Sequence, residues 1–294
     1  MGLHKNRNGL FNMCDNGLVQ FSDCPDFDCR PIIHVDKHAA GTDDGSSWAN
    51  AYADIQTAIN AHPCNEIQIH GYGENDCYSA GVVLAECCYI KGIDDVWIDG
   101  EDIEIFGIDG NNLDSTKINA VNIKNCRNTG IKRCNEVINS TVKNISQYLS
   151  SHGAFLQCNS LDNCTADNIA SVYGFYNCLN INSCTVANSH GGFSHTSGYS
   201  GFTATNCNAV DNIYVGFAGL NNTIIECTAN NSGDGSNGGF SNRYSTLINC
   251  VAFNNQGCGF RDALGGLNSY VDCTEYNNCL VWGSDCTERG CAAI

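Results

Sequence analysis

Leu161-Asp162-Asn163-Cys164-Thr165-Ala166-Asp167-Asn168 is followed twenty residues later by Ile181-Asn182-Ser183-Cys184-Thr185-Val186-Ala187-Asn188, with the same residue types at the same phase. Aligning the chain on Ser140, Cys164, Cys184, Cys207, Cys227, Cys250 and Cys273 gives intervals of 24, 20, 23, 20, 23 and 23 residues. Two positions after the anchor stand Val142, Ala166, Val186, Ala209, Ala229 and Ala252. Side chains alternate along a strand, so the anchor and this residue share the inward face. Three positions before the anchor stand Val137, Leu161, Ile181, Ala204, Ile224, Leu247 and Tyr270, which break the alternation and imply a bend. Four positions after it stand Asn144, Asn168, Asn188, Asp211, Asn231, Asn254 and Asn277. Asparagine tolerates left-handed backbone angles, and residues of this kind stacked in register form an amide ladder. The phenylalanine of a Gly-Phe pair follows nine to thirteen residues after the anchor, at Phe175, Phe193, Phe217, Phe240 and Phe260. Phe155 departs slightly, with Ala154 before it. Glycine is expected to open a corner there and phenylalanine to fill the interior.

Fixed anchors separated by stretches of changing length are the signature of stacked coils with variable loops. A β-sandwich also uses Gly and Asn as punctuation, but it does not require one residue type at one phase seven times. The repeat predicts an all-β fold, a right-handed, single-stranded parallel β-helix in which each coil advances by about 4.8 Å.

Upstream, Trp48, Tyr52, Ile55 and Ile59 fall at spacings of 4, 3 and 4, an apolar helical stripe. A short capping helix is expected near residues 48–61, with Ser46 or Ser47 as its cap and Pro63 beyond its end. Glu66-Ile67-Gln68-Ile69-His70 alternates like a first strand, and the stretches 96–100 and 103–110 look like early coils. The lead-in and the repeats together resemble the pectin-lyase-like right-handed β-helix superfamily, in particular its bacterial and phage repeat proteins, over roughly residues 34–285. The resemblance implies a helix lidding the open end of the core. It leaves function open, since lyases, hydrolases, adhesins and phage tailspikes share the fold. Residues 1–33 carry no repeat phase and read as an arm or attachment segment, and 286–294 as a C-terminal cap or tail.

Asp and Glu number 31 against 14 Lys and Arg, a formal net charge of −17, and no Lys or Arg lies between Lys143 and Arg243. Phosphate contacts need cations in quantity, so nucleic acid is excluded as a partner. No run of about 20 apolar residues marks a membrane span. Met1–Arg7 lacks the apolar stretch of a secretory signal, so the expected routes out of the cell are a removed leader or release inside a virus particle.

The 21 cysteines need reading by position. Cys164, Cys184, Cys207, Cys227, Cys250 and Cys273 sit inward and interchange with Ser140, as a steric slot allows and a metal ligand would not. Cys14, Cys24 and Cys29 are the candidate metal ligands, but zinc's two close pairs are missing and no metal site is assigned. Cys279, Cys286 and Cys291 are expected to fasten the C-terminal cap, through a disulfide or otherwise.

A glycosidase needs two facing carboxylates. Asp162, Asp167, Asp211, Asp234, Asp262 and Asp272 are isolated in phase, whereas Asp94, Asp95, Asp99, Glu101 and Asp102 form a denser group that reads as solvated turns. Calcium is the one cofactor conceivable at that group. A uronate lyase needs a base, and the middle coils offer only His152, His190 and His195. The last two flank a Gly-Phe corner and read as loop residues. The expected function is a structural or surface-recognition protein, most readily a phage virion component (decoration, fibre or spike), located on a virion or an extracellular surface. In this reading the N-terminal arm contacts other virion or surface proteins, and Tyr, Asn, Ser and Thr on the coils bind polysaccharide. An oligomer is compatible with it. The competing expectation is a carbohydrate-active enzyme, a polysaccharide lyase or glycoside hydrolase of tailspike type.

Overall fold

The computed structural model describes residues 30–113, 115–146, 152–170, 173–195, 201–233, 238–262 and 268–278, with the short strands His4–Lys5, Phe11–Asn12 and Cys291–Ala293. From Ile32 onward the strands stack in parallel, coil on coil. One face is a nine-stranded parallel sheet ending at Phe260–Asp262. Two further strand stacks, one on each side of the cysteine anchor, complete each coil; Leu161 pairs with Ile181 and Ala166 with Val186. The fold is a parallel β-solenoid. Cys14, Cys24, Cys29, Asp234, Cys279 and Cys286 lie outside the described residues, and Cys291 opens a strand that pairs with Cys273.

The corners explain the repeat. The residue before the anchor bends the chain: Asn139, Asn163, Ser183, Asn206, Glu226, Asn249 and Asp272 all have φ between 50° and 54°. The asparagine four positions after it makes a second left-handed corner, with φ of 56° at Asn144 and 49° at Asn231. A third such corner falls at Arg133, Gln157, Asn177, Asn221 and Tyr244.

The residue after a corner points inward and in most coils carries a small polar group, with Ile145 and Ile169 as apolar exceptions. Cys184 Sγ donates to the Asn182 carbonyl at 3.1 Å and Ser140 Oγ to that of Ile138 at 3.0 Å. The same atoms receive backbone N–H groups from the preceding coil. Cys164 N donates to Cys184 Sγ (3.3 Å), Ile169 N to Ser189 Oγ (3.2 Å) and Phe202 N to Asn222 Oδ1 (3.1 Å). The anchor is therefore a hydrogen-bonding slot as well as a steric one. Cysteine, serine and asparagine interchange because each spares a buried donor the roughly 1–3 kcal/mol of going unpaired.

Phe155, Phe175, Phe193, Phe217, Phe240 and Phe260 stack face to face along the core at centroid separations of 4.7–4.9 Å. The glycines before them serve close packing, not the corner that the sequence suggests. A Cβ on Gly174 would lie 2.6 Å from Val186, and one on Gly216 would lie 2.9 Å from Ala229.

The capping helix is shorter than the apolar stripe predicts. It spans Ile55–Ala61, and Asp54 rather than Ser46 or Ser47 caps it, accepting from Thr57 N at 2.7 Å. Ile55, Ala58 and Ile59 close the end of the core. Trp48 belongs to a separate 3-10 turn, and Tyr52 to a segment whose backbone bonds the free edge of the strand Ile32–Val35. That pairing covers an edge that would otherwise be exposed. Ile32–Val35, not Glu66–His70, is thus the first strand of the solenoid.

Candidate functional site

The first coils bring together side chains that lie far apart in the sequence. His34 and His70 stand at outward positions of Ile32–Val35 and Glu66–His70, and the loop turn at Trp48 lays its indole between them. The indole centroid is 4.5 Å from the His34 ring and 5.5 Å from that of His70. Tyr72 packs beside His70 at 4.7 Å and beside His38 at 4.6 Å. Trp48 is 37% exposed and Tyr72 39%, so the row presents aromatic surface to solvent.

Carboxylates rim this row. His70 Nδ1 lies 3.3 Å from Asp36 Oδ2, and its Nε2 lies 3.2 Å from Asp94 Oδ2. Tyr72 donates its hydroxyl to Asp36 Oδ1 at 2.7 Å. Burial is the largest influence on Asp36 and works to raise its pKa. The bonds from Tyr72, the His38 amide and His70 outweigh it and hold the carboxyl below its usual range. Burial and Asp36 push the Tyr72 phenol up to about 12. Asp76 is held low by Lys37 first and then by His38, whose Nε2 lies 2.7 Å away.

A second group lies on the adjoining strand stack, past the irregularity between Lys91 and Val96. Trp97 donates Nε1 to Asp95 Oδ1 at 2.9 Å, and Lys143 Nζ sits 4.6 Å above the indole. In-register pairing sets Asp99 beside Lys124 and Lys124 beside Lys143. Lys124 Nζ is 3.2 Å from Asp99 Oδ2, and Glu74 pairs with Lys143. Lys143 holds Glu74 low; on Asp99, bonds from the Glu101 amide, Asn125 and Lys124 override burial. These cations are engaged in neutralising carboxylates.

Of the dense acidic group, Asp94, Glu101 and Asp102 are left-handed turn residues with φ of 63°, 51° and 57°, and Asp94, Asp95 and Asp99 carry the contacts given above. Among the described residues, no three His, Cys, Asp or Glu side chains converge to hold a metal ion. The acids of the later coils act on their neighbours. Asp162 accepts from Asn182 (2.7 Å), Asp167 from Asn188 (2.9 Å), Asp211 from Asn231 (2.6 Å) and Asp262 from Asn268 (2.6 Å). Asp272 occupies a left-handed corner. His195 is buried, its pKa lowered by burial, and His190 stacks on Tyr214 at 5.5 Å.

The structure places Cys164, Cys184, Cys207, Cys227, Cys250 and Cys273 inside, all as free thiols. The amide ladder is interrupted. Asn168 bonds Asn144 (2.8 Å), which bonds Asn125 (3.2 Å), and Asn277 bonds Asn254 (2.6 Å), but Asn188 turns to Asp167. Cys87 and Cys258, which carry no repeat phase, are each engaged in a separate disulfide.

The sequence reading missed His34, Asp36, His38, Trp48, His70, Tyr72 and Asp76 as a group. Their signal lies in register: with Ile32–Val35 recognised as a coil, its outward residues stack on those of Glu66–His70.

No protein-family model and no curated protein matches the sequence. Among solved structures, the chain is similar to a rhamnogalacturonan lyase, with a TM-score of 0.49 at 11% identity over 84% of this chain and 74% of that one. It is similar to a pectate lyase at 0.48 and 16% identity, over 88% and 73% of the two chains. It is also similar to an endo-xylogalacturonan hydrolase from Aspergillus tubingensis at 0.47 and 10%, over 89% and 99%. The fold itself rests on the stacked coils, whose parallel pairing establishes the solenoid.

Proposed function

We propose that the protein is a non-enzymatic recognition protein that holds a glycan against the outer face of its first coils. The half-exposed row of Trp48, His70, Tyr72 and His38, rimmed by carboxylates, carries this reading. Sugar rings stack on aromatic faces, and their hydroxyls donate to carboxylate oxygens. Asp36, Glu74, Asp76 and Asp99 are all held ionised, which suits acceptors of hydrogen bonds and not general acids. The negative charge of the surface favours a neutral or amino-sugar glycan over a uronate polymer.

The setting we infer is a cell or particle surface. The finer reading, a virion decoration, fibre or spike protein, draws its support from the acidic exterior and from an N-terminal segment without repeat phase. Labelling the protein within isolated particles and locating it by microscopy tests that setting; absence from particles removes it.

One arrangement favours the competing reading of a lyase or hydrolase, namely His70 between Asp36 and Asp94. Incubation with a panel of neutral, amino-sugar and uronate polysaccharides separates the two. Retardation in affinity electrophoresis by neutral or amino-sugar polymers, without new reducing ends or unsaturated uronates, is the expected result. Either product would replace recognition with catalysis.

A further inference from the structure

A separate cavity of about 210 Å³ opens on the nine-stranded sheet, on a different face of the coil from the aromatic row. Ile105, Phe106 and Leu156 form its apolar wall, and Lys132 and Arg133 bring cations to it. In a chain with a net charge of −17, two neighbouring cations at one cavity are unusual. Lys132 Nζ lies 3.9 Å from the centre of the Phe106 ring and 3.1 Å from Asp109 Oδ2. Arg133 grips the same carboxylate with two nitrogens, Nε at 2.9 Å from Oδ1 and Nη2 against Oδ2. One carboxylate facing two cations leaves one positive charge over. His152, also on the wall, adds none near neutral pH, because burial and Lys132 lower its pKa.

Thr129 lines the same cavity. It is 1% exposed and its hydroxyl oxygen has no hydrogen-bond partner. Buried hydroxyls are nearly always bonded, so an unbonded one beside a cavity points to an occupant that supplies the partner.

We propose that this cavity binds a small monocarboxylate bearing an apolar group. The carboxylate lies against Lys132 and Arg133 and accepts a hydrogen bond from the Thr129 hydroxyl. The apolar body rests on Ile105, Phe106 and Leu156. A monoanion matches the single surplus charge, whereas a dianion such as phosphate would bring a second, uncompensated charge beside an apolar wall. A neutral ligand would leave the cations' field unused.

The test uses the full chain and benzoate as probe, with benzyl alcohol and inorganic phosphate as controls, followed by calorimetry or ligand-observed NMR. Saturable benzoate binding is expected, at least about tenfold tighter than either control and weakening as salt rises. Lys132→Met keeps the methylene stem over Phe106 and removes the charge, so benzoate affinity is expected to fall about tenfold. Thr129→Val removes an unbonded hydroxyl, so it is expected to raise the melting temperature of the free protein while weakening benzoate binding. The proposal is overturned by benzyl alcohol or phosphate binding as tightly as benzoate, by unchanged affinity in Lys132→Met, or by a Thr129→Val protein that binds normally. No saturable binding to the folded parent chain overturns it as well.

Discussion

The first coils, residues 32–145, and the later coils, residues 152–262, share one backbone plan and use their polar side chains in opposite ways. In the later coils, Asp162, Asp167, Asp211 and Asp262 each accept from an asparagine that the repeat supplies. Cys184, Cys227 and Ser245 close the corners from inside. In the first coils, long excursions at 36–65 and 71–88 lay Trp48, Tyr72, Asp76 and Glu74 across the strands. Regularity spends side chains on the neighbouring coil, and chemistry collects where the repeat is broken.

That difference also decided what could be read in the sequence. The repeat was legible because Cys184, Asn188 and Phe193 perform one physical task per coil and recur at one phase. The aromatic row was not legible, because the 30-residue excursion between Val35 and Glu66 hides the fact that their strands are neighbours. Trp48 looked like part of a helical stripe by spacing alone, yet the helix begins only at Ile55, where Asp54 can cap it. By position alone the cysteines fit a steric slot. Their second role, accepting an N–H from the coil before, depends on a three-dimensional stacking that no single coil displays.

Phe217 gives the harshest test of the regular half. Its ring is stacked on both sides, at 4.7 Å from Phe193 and 4.8 Å from Phe240. Phe217→Ala is expected to cost about 3–5 kcal/mol in denaturant unfolding, since neighbouring coils depend on each other and the core cannot collapse around the gap. Glycan retention by the protein that stays folded should match the parent chain, because the aromatic row lies in other coils. A parallel loss of retention would mean that the two regions are not separable.

Asp109, on the nine-stranded sheet within the first coils, has an intermediate expected effect when substituted. Burial, the largest influence, raises its pKa, but Arg133, the Asn111 amide and Lys132 together bring it below the usual range. A folded-state pKa depressed in this way contributes stability above the unfolded value of about 4 and loses it as the pH falls through the folded value. Asp109→Asn should therefore cost about 1–3 kcal/mol at pH 7, a figure reduced because Lys132 and Arg133 are partly solvated. The gap to the parent chain should close below about pH 4 in urea melts. A gap that stays constant with pH would assign the loss to packing rather than charge.

In the irregular half, Trp48→Ala is expected to weaken glycan retention about tenfold, some 1.4 kcal/mol, with little change in melting temperature, since the indole is exposed and outside the helix. An equal fall in stability and retention would make Trp48 part of the scaffold.

Cys184→Ser carries the smallest effect, and its contrast with alanine draws the finest distinction. Burial pushes the Cys184 thiol well above the ordinary range, so thiolate chemistry is not at stake and alkylating reagents should leave it unmodified in the native protein. A purely steric, apolar slot would accept alanine more readily than serine. A hydrogen-bonding slot would prefer serine, because the hydroxyl still donates to the Asn182 carbonyl and still accepts from Cys164 N. Cys184→Ser is accordingly expected to cost under about 1 kcal/mol, whereas Cys184→Ala strands a buried N–H and costs about 1–3 kcal/mol. The presence of serine in the same file, at Ser140, and at the equivalent corner of Ser189 shows that the backbone already accommodates that choice. If alanine proved the milder replacement, the regular coils would be held by apolar burial alone. Their corner hydrogen bonds would then be consequences of the packing, not a reason for it.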